Sequence, residues 1–304
     1  MALQRKTILI LLAFFAIYVI WGSTYLLNKV AVTQLPPFFL ASIRFIIAGV
    51  VIFMISKLMK LDLSISRTQL INSVITGFLF LVYGNGVFVW ALKYVDSGFG
   101  ALEASTQPLF VLLLMKLIDG KKMQTNAVIG VVLGVLGMYI LVSQKELVTQ
   151  EGTLLGMFMI LTCVLSWSYG SIFVSKADLP SNHFVSAAYQ MVSAGILLVI
   201  TSLLLGETWV LPTQWSAPTT WSLLLLAIFG SVVAYTSFNY LLKAVSPEKV
   251  STSAYVNPII AIALGWYILD EPISFQTIVA AVILLTGVYF ITTKRQIKIR
   301  PFGR

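Results

Sequence analysis

The chain has 304 residues, of which 59% are hydrophobic and 10% are charged, and its mean hydropathy is +0.95. A soluble domain carries roughly 25% charged residues, so this composition excludes an ordinary soluble protein and indicates an all-α, polytopic membrane protein. The net charge of +9 would suggest nucleic-acid binding in a soluble protein, but the basic residues lie in predicted loops and the C-terminal tail, and we expect no nucleic-acid partner.

Apolar windows of about 20 residues, the length needed to cross a lipid bilayer, occur ten times along the chain. The first follows Arg5 and Lys6 and is not followed by an Ala-x-Ala cleavage pattern, so we interpret it as a span rather than as a signal peptide. Short loops with turn residues and charges separate the windows. The predicted spans cover residues 8–27, 38–56, 70–90, 97–115, 124–142, 153–174, 184–205, 219–241, 249–268 and 274–292.

The two halves of the chain are similar in sequence. A shift of 146 positions places Trp21 on Trp167, and a later shift of 150 places Pro108 on Pro258. Each half contains five predicted spans, and an odd number turns the second half upside down, as in alternating-access transporters. We expect two inverted repeats around a central cavity, at residues 1–147 and 148–304.

The distribution of Lys and Arg sets the expected orientation. With the N-terminus inside, sixteen basic residues lie in cytoplasmic segments, and only Lys29, Lys93 and Lys145 lie outside. This bias follows the positive-inside rule. We therefore predict a multi-pass protein of the cytoplasmic (inner) membrane with both termini cytoplasmic and a short basic tail.

Two charged residues, Arg44 and Glu103, fall inside predicted spans, where a charge is costly and marks a functional site by default. Each lies six residues from the outer end of its span, about 9 Å along a helix, so the two side chains can pair. A buried ion pair that fixes packing is one interpretation. Contact with a charged substrate is the other, and the uncharged repeat-mates Gln190 and Ser253 favour it.

Spans 4 and 9 share a polar face followed by a proline. The freed backbone carbonyl one turn before each proline, near the midplane and at the repeat interface, makes this pair a candidate substrate site. Interhelical hydrogen bonding is the alternative for Gln107 and Asn257. The pattern consists of Glu103, Gln107 and Pro108 in span 4 and of Ser253, Asn257 and Pro258 in span 9.

Aromatic and small polar residues in other spans suit a mostly apolar pocket with a few orienting hydrogen bonds. An interfacial aromatic belt is the alternative for Trp21. The further cavity candidates are Trp21, Ser23 and Thr24 in span 1, Tyr83, Asn85 and Trp90 in span 3, Trp167 and Tyr169 in span 6, Gln190 in span 7, and Tyr235 and Asn239 in span 8.

Spans 5 and 10 are rich in small residues. Gly130, Gly134 and Gly137 form a ridge in span 5, and span 10 contains Gly287. Such ridges let helices approach closely, so we interpret these as packing helices or as a dimer surface. Monomer and homodimer both stay open.

Short motifs in a fixed order resemble the ten-span EamA branch of the drug/metabolite transporter superfamily. The resemblance covers essentially the whole chain, and it implies inverted five-helix repeats around a cavity and export of amino acids or related metabolites. The motifs are Trp21-Gly22-Ser23, Arg44-Phe45, Gln107-Pro108, and Asn257-Pro258 followed by Asp270-Glu271-Pro272.

Carried over residue by residue, the resemblance points to Trp21, Arg44, Glu103, Pro108 and Pro258. One departure is visible. The acidic residue that the family often has after span 4 is Lys121 here, although the copy after span 9 keeps Glu271.

The function we predict is secondary active transport of a small-molecule substrate across the lipid bilayer, with export of amino acids or related metabolites and no cofactor, metal or catalytic residue. No nucleotide-binding motif occurs. A membrane-embedded enzyme is disfavoured because His183 is the one histidine and no span holds an aspartate. A channel is disfavoured because no filter segment is evident. Glu103 is the candidate proton-coupling group. Substrate identity, transport direction and coupling stay open.

Overall fold

The computed structural model describes residues 2–120, 125–143, 151–245, 250 and 253–292. This part of the chain is helical and contains no strand. The α-helices are α1 (Ala2–Phe15), α2 (Trp21–Val32), α3 (Pro37–Leu58), α4 (Arg67–Gly77), α5 (Phe88–Ala91), α6 (Ser97–Ala104), α7 (Gln107–Asp119), α8 (Thr125–Val142), α9 (Thr153–Lys176), α10 (His183–Leu204), α11 (Ala217–Leu225), α12 (Ala234–Ala244), α13 (Ser253–Leu269) and α14 (Phe275–Thr292).

Three π-helical segments join shorter helices into longer rods. They are Ala16–Ile20 between α1 and α2, Phe78–Val87 between α4 and α5, and Leu226–Val233 between α11 and α12. A π-helix shifts the backbone hydrogen bonds by one residue and is frequent at functional sites. All three segments are therefore candidate parts of a functional site.

Seven helical stretches of the described residues are long and apolar enough to cross a membrane: Lys6–Val32, Pro37–Leu58, Arg67–Ala91, Ser97–Ile118, Thr153–Lys176, His183–Leu204 and Ala217–Leu241. Three apolar helices are shorter: Thr125–Leu141, Val256–Leu269 and Phe275–Ile291. These ten stretches occupy the ten predicted windows. The three shorter helices are parts of α8, α13 and α14. Each of these elements begins or ends beside residues outside the described ranges.

The helix ends of the two halves match. Ser66 and Ser216 each cap a helix by accepting a hydrogen bond from the backbone N–H three residues later. Lys60 turns the chain after α3, and Gly206 turns it after α10, with φ angles of 54° and 67°. The left-handed region is easy for glycine and unfavourable for lysine, so the turn is kept even where the residue type does not suit it.

Helices α3 and α10, which correspond under the repeat shift, pack along their length and run antiparallel. A Cβ placed on Gly49 would lie 2.6 Å from Val192 Cγ2, and one placed on Gly195 would lie 2.5 Å from Ile46 Cγ1. Both glycines are therefore needed for the close approach of the two backbones.

Helices α8 and α14 form a second antiparallel pair. A Cβ on Gly130 would lie 2.5 Å from the carbonyl oxygen of Gly287, and one on Gly137 would lie 2.7 Å from Leu284 Cγ. The predicted glycine ridge is thus used for packing inside the chain. Its interpretation as a dimer surface does not fit this arrangement, because the outward face of α8 carries Val132 and Tyr139 instead.

Candidate functional site

Arg44 lies in the first half of α3, two turns from its start, and is 4% exposed. Its Nε donates a hydrogen bond to Ser231 Oγ at 2.8 Å, and its Nη1 donates to Asn28 Oδ1 and to Asn85 Oδ1, each at 3.4 Å. The guanidinium carbon is 4.9 Å from the ring centroid of Phe45. All these partners are uncharged. Within the described ranges, the cation is therefore oriented by hydrogen bonds but not neutralised.

The backbone around Gly230 brings two further candidates to this guanidinium. A Cβ on Gly230 would lie 2.9 Å from Thr24 Cγ2 and 3.3 Å from Arg44 Nη2. Trp21 Nε1 donates to the carbonyl oxygen of Gly230 at 3.1 Å. Gly230 belongs to the π-helical segment Leu226–Val233, so this segment of the second half completes a site begun by α2 and α3.

Glu103 is 2% exposed, and its Oε2 has no hydrogen-bond partner in the part of the chain that the structure describes. It is the second-last residue of α6, which ends at Ala104 before α7 begins at Gln107. In the break, Ser105 Oγ donates to the carbonyl of Leu102 and Thr106 Oγ1 donates to the carbonyl of Glu103, each at 2.6 Å. The same two carbonyls also accept from the backbone N–H groups of Ser105 and Thr106 at 3.2 and 3.1 Å, so tight i to i+3 turns form in the break.

Arg44 and Glu103 do not pair, contrary to the possibility raised by their equal depth. The guanidinium bonds to Ser231, Asn28 and Asn85 instead. The physical reason is the packing: α3 lies mainly against α10, whereas α6 lies against α13, α9 and α2. Glu103 is within electrostatic reach of the Cys163 thiol in α9. Depth along a span does not fix which neighbour a side chain meets.

The matching prolines of spans 4 and 9 have different effects. Pro108 stands at the start of α7, just after the break, while α13 continues through Pro258. The break carries Ser105 and Thr106, and the corresponding positions of α13 are Tyr255 and Val256. Short hydroxyl side chains can bond nearby backbone carbonyls and compete with helix formation, which accounts for the difference.

Asn257 bridges α13 to the first span. With its amide nitrogen toward them, it donates to the carbonyl oxygens of Ile17 and Tyr18 at 2.9 and 3.0 Å. Both carbonyls belong to the π-helical segment Ala16–Ile20. Gly22 permits this approach, since its Cβ would lie 2.7 Å from Ile260 Cβ. The contact matches the interhelical alternative foreseen for this residue.

Gln107 occupies a corresponding place between α7 and α9. Its Nε2 donates to Ser171 Oγ at 3.4 Å, and its backbone carbonyl accepts from Ser168 Oγ at 3.3 Å. The two amides of the polar pattern thus both join helices.

A separate polar chain surrounds Gln190. Its Nε2 donates to Ser186 Oγ at 2.9 Å, and its Oε1 accepts from the hydroxyl of Tyr235. Asn239 Nδ2 donates to the carbonyl of Tyr235 at 2.9 Å. Gln190 is the repeat-mate of Arg44, so this chain is the neutral counterpart of the arginine site.

The remaining candidates are spread over the bundle. Trp167 packs on Phe80 with ring centroids 4.7 Å apart, and Trp90 lies 5.8 Å from Phe38. The hydroxyls of Ser23 and Ser253 bond to the carbonyls of Ile20 and Val250, and the carbonyl of Tyr83 accepts from the Cys163 thiol.

Tyr169 is 46% exposed and lies on the same outward face of α9 as Phe158 and Leu165. The structure therefore does not bring it together with the other candidates.

Sequence reasoning missed Asn28 and Ser231, two of the three partners of Arg44. The predicted first window ended at residue 27, one position short of Asn28. A signal was available, because Asn28 lies seven residues after Trp21 and so on the same helical face. Ser231 gave no signal, since a serine in a membrane helix commonly bonds its own backbone.

Known proteins resemble this chain along nearly its whole length. The "Uncharacterized inner membrane transporter YedA" of Escherichia coli strain K12 is 34% identical over 290 residues, covering 93% of this chain and 92% of the relative. The "Probable amino-acid metabolite efflux pump" of the same strain is 24% identical over 281 residues, covering 90% and 91%. A solved crystal structure at 18% identity has a TM-score of 0.67 and covers 93% of this chain and 96% of its own, which supports the fold alone.

The sequence matches the EamA-like transporter family twice, at residues 8–143 and 154–293. The match includes both halves of the chain and most of its length. These relatives and a Bacillus subtilis relative are named as transporters or as an efflux pump, and not as enzymes. The chain is a multi-pass inner-membrane transporter and belongs to the EamA-like transporter family.

Proposed function

We propose that this transporter exports amino acids or related small metabolites by alternating access around Arg44. The observation that carries the proposal is the surroundings of this residue. A buried cation is costly unless a counter-charge meets it, and Ser231, Asn28 and Asn85 supply none. A substrate carboxylate would supply it, because a guanidinium binds carboxylates through paired N–H donors.

An amino acid fits this requirement. Every free amino acid carries a carboxylate, and the apolar and aromatic surroundings of Trp21 and Phe45 suit a side chain of moderate polarity. Relatives named as amino-acid metabolite efflux pumps occur in Escherichia coli and Salmonella typhimurium. Their names support the direction and the class of substrate that we propose.

Two halves of opposite orientation suit alternating access, and we include ten spans in two inverted repeats in the proposal. The pairs α3 with α10 and α8 with α14 correspond under the repeat shift, yet each pair runs antiparallel. This is the relation expected when one half is turned over in the membrane. The positive-inside bias then puts both termini in the cytoplasm.

Glu103 completes the proposed mechanism as the coupling group. A carboxyl with a buried, unpartnered oxygen is sensitive to the arrival and loss of a proton, since protonation removes the buried charge. We propose that Glu103 takes up a proton from one side of the membrane and releases it to the other while the substrate is exchanged.

A thermal-shift screen of the purified protein against amino acids tests the proposed ligand class. A ligand at a hundred times its Kd stabilises the folded state by about 2.7 kcal/mol. We expect carboxylate-bearing ligands to raise the Tm of the parent protein and not that of Arg44→Gln. The control is Lys57→Gln, which removes a cation from the exposed end of the same helix and should keep the response. Equal responses in Arg44→Gln and the parent would rule out the arginine as the substrate's partner.

A further inference from the structure

A carboxylate of the second half caps the first residues of α3. Glu207, which follows α10, accepts hydrogen bonds from the backbone N–H of Phe38 at 3.1 Å and of Phe39 at 2.8 Å. The Ser202 hydroxyl donates to the same carboxylate at 2.7 Å, and Trp209 stacks on Phe39 with ring centroids 4.9 Å apart. Free N–H groups and the helix dipole favour an anion at this position.

A second carboxylate of the same half caps α6. Glu271, between α13 and α14, accepts from the N–H groups of Ser97 and Gly98 at 2.8 and 3.1 Å and from the Ser97 hydroxyl at 2.9 Å. Asp270 turns the chain back with a left-handed φ of 54°. Gly265 leaves the room, because a Cβ there would collide with the carboxylate of Glu271.

Both contacts lie on the face where α3 and α6 begin and where α10 and α13 end. Lys29 caps the C-terminal end of α5 on the same face, where its Nζ donates to the carbonyls of Leu92 and Val95 at 2.8 and 2.7 Å. In the proposed orientation this is the outer face. We refer to Glu207 and Glu271 together as the carboxylate latch.

The opposite face is built differently. The repeat-mates of Glu207 and Glu271 are Leu61 and Lys121, neither of which can offer a carboxylate. The backbone N–H of Phe184, the mate of Phe38, donates its hydrogen bond to Asn182 Oδ1 of its own loop at 2.9 Å. Lys121 lies outside the described residues, but a cation is disfavoured at a helix N-terminus.

The halves also meet on that opposite face, where the part-buried hydroxyl of Tyr189 donates to the carbonyl of Leu63 at 2.9 Å and where exposed contacts add to it. Gln69 donates to the carboxylate of Asp178 at 3.2 Å, and Asn72 donates to its backbone carbonyl at 2.9 Å. Exposed contacts contribute less than buried charge-assisted ones. Of the polar contacts that the described residues make between the halves at the two faces, the stronger therefore lie on the latch face.

We propose that the carboxylate latch holds the outer face closed and must release each time that face opens. The inference rests on the proposed alternating access, because only a rocking of the halves separates α3 and α6 from the loops after α10 and α13. Weakening either carboxylate then shifts the protein toward the outward-open state.

The test compares the reactivity of two buried reporter cysteines toward N-ethylmaleimide, in lipid nanodiscs and in a Cys163→Ala background. Ala101→Cys reports on the latch face, where Gly98, one turn away on α6, packs against Ile262 of α13. Ser73→Cys reports on the opposite face, where α4 packs against α10.

With Glu271→Gln, we expect the Ala101→Cys reporter to react on the order of tenfold faster, which corresponds to about 1.4 kcal/mol, and the Ser73→Cys reporter to react more slowly. Glu207→Gln should change both reporter rates in the same directions. This second variant keeps the test valid even if Glu271→Gln does not fold. Asp178→Asn, the matched control on the opposite face, should not speed the Ala101→Cys reporter. A general destabilisation of the bundle would make both reporter cysteines react faster. Faster reaction of both reporters, or unchanged rates of both, would contradict the proposed role of the carboxylate latch.

Transport in reconstituted vesicles separates this inference from the function on which it rests. Saturable exchange of a labelled amino acid together with unchanged reporter rates would remove the latch and keep the transporter. Absence of such exchange in the parent protein would remove the proposed function itself.

Discussion

Arg44 determines the chemistry of the bundle because it is the cation around which α2, α3 and two π-helical segments converge. Its Nε is fixed by Ser231 at 2.8 Å, the shortest of its three hydrogen bonds. The guanidinium is rigid and planar, so this one bond sets the direction of the remaining N–H groups. Ser231 therefore orients the cation to which we assign the proposed recognition of a substrate anion.

Ser231→Ala should weaken both stability and ligand response. A buried hydrogen bond to a charged group contributes about 1.5–3 kcal/mol, and the substitution leaves Nε without a partner. Thermal unfolding in detergent measures the loss. Ser175→Ala is the matched control, since its hydroxyl bonds only the carbonyl of Ile172 in its own helix, and it should shift the free energy of unfolding by less than about 0.5 kcal/mol.

Glu103→Gln should transport without sensing a pH gradient. The amide keeps the shape of the side chain but cannot carry the proton. Uptake into vesicles with and without an imposed pH gradient measures the dependence, and the exposed Glu151→Gln variant should retain it. Full gradient dependence in Glu103→Gln would exclude this residue as the coupling group.

Asp96 and Asp62 should give stability changes of opposite sign as pH is varied. Burial, and then the charge of Glu271, raise the pKa of Asp96, while Lys29 opposes them. A raised pKa stabilises the fold at low pH, and this contribution is lost as pH rises through the folded-state value. The N–H of Ser64 holds the pKa of Asp62 low, so its contribution appears as pH rises instead.

Melting temperatures of Asp96→Asn and Asp62→Asn between pH about 3 and 7 measure the two contributions. Relative to the parent, Asp96→Asn should gain stability toward the upper end of this range, and Asp62→Asn should lose it. The same sign for both variants would contradict the assignment.

At the scale of elements, much of the fold could be predicted because hydrophobic windows and turn residues leave clear marks in the sequence. The predicted windows overlap the seven long and three shorter apolar helices of the described residues. The matching prolines did not predict the break at Ser105–Thr106, since both halves carry a proline at the same place and the hydroxyl residues before Pro108 were not considered. The partners of Arg44 could not be predicted, because a window gives depth but not the neighbouring helix.

Glycines of α8 should differ in their tolerance of a methyl group. A Cβ on Gly130 would meet backbone atoms of α14 at 2.5 and 3.0 Å, whereas one on Gly134 would meet only the flexible end of Leu109 at 3.2 Å. We expect Gly130→Ala to destabilise the protein by about 1–3 kcal/mol, as overpacking does, and Gly134→Ala to cost less. Thermal unfolding compares the two, and an equal loss would contradict the close approach of α8 and α14.

At the scale of the whole molecule, the two halves are similar in backbone and different in charge. Under the repeat shift, Arg44 corresponds to Gln190, Glu103 to Ser253, and Glu271 to Lys121. The shared backbone suits a rocking motion between equivalent states, and the unequal charges make the two states differ in energy. In this account the difference at Arg44 affects substrate binding and the difference at Glu103 affects proton coupling. The difference at Glu271 affects the carboxylate latch.

Counterflow in proteoliposomes tests the central claim most directly. Vesicles loaded with an unlabelled amino acid identified by thermal shift are diluted into a trace of the labelled form, and its transient accumulation is followed for the parent, Arg44→Gln and Lys57→Gln proteins. The account predicts saturable accumulation with the parent and Lys57→Gln, and its loss with Arg44→Gln. Accumulation that persists in Arg44→Gln, or a flux that never saturates in the parent, would contradict it.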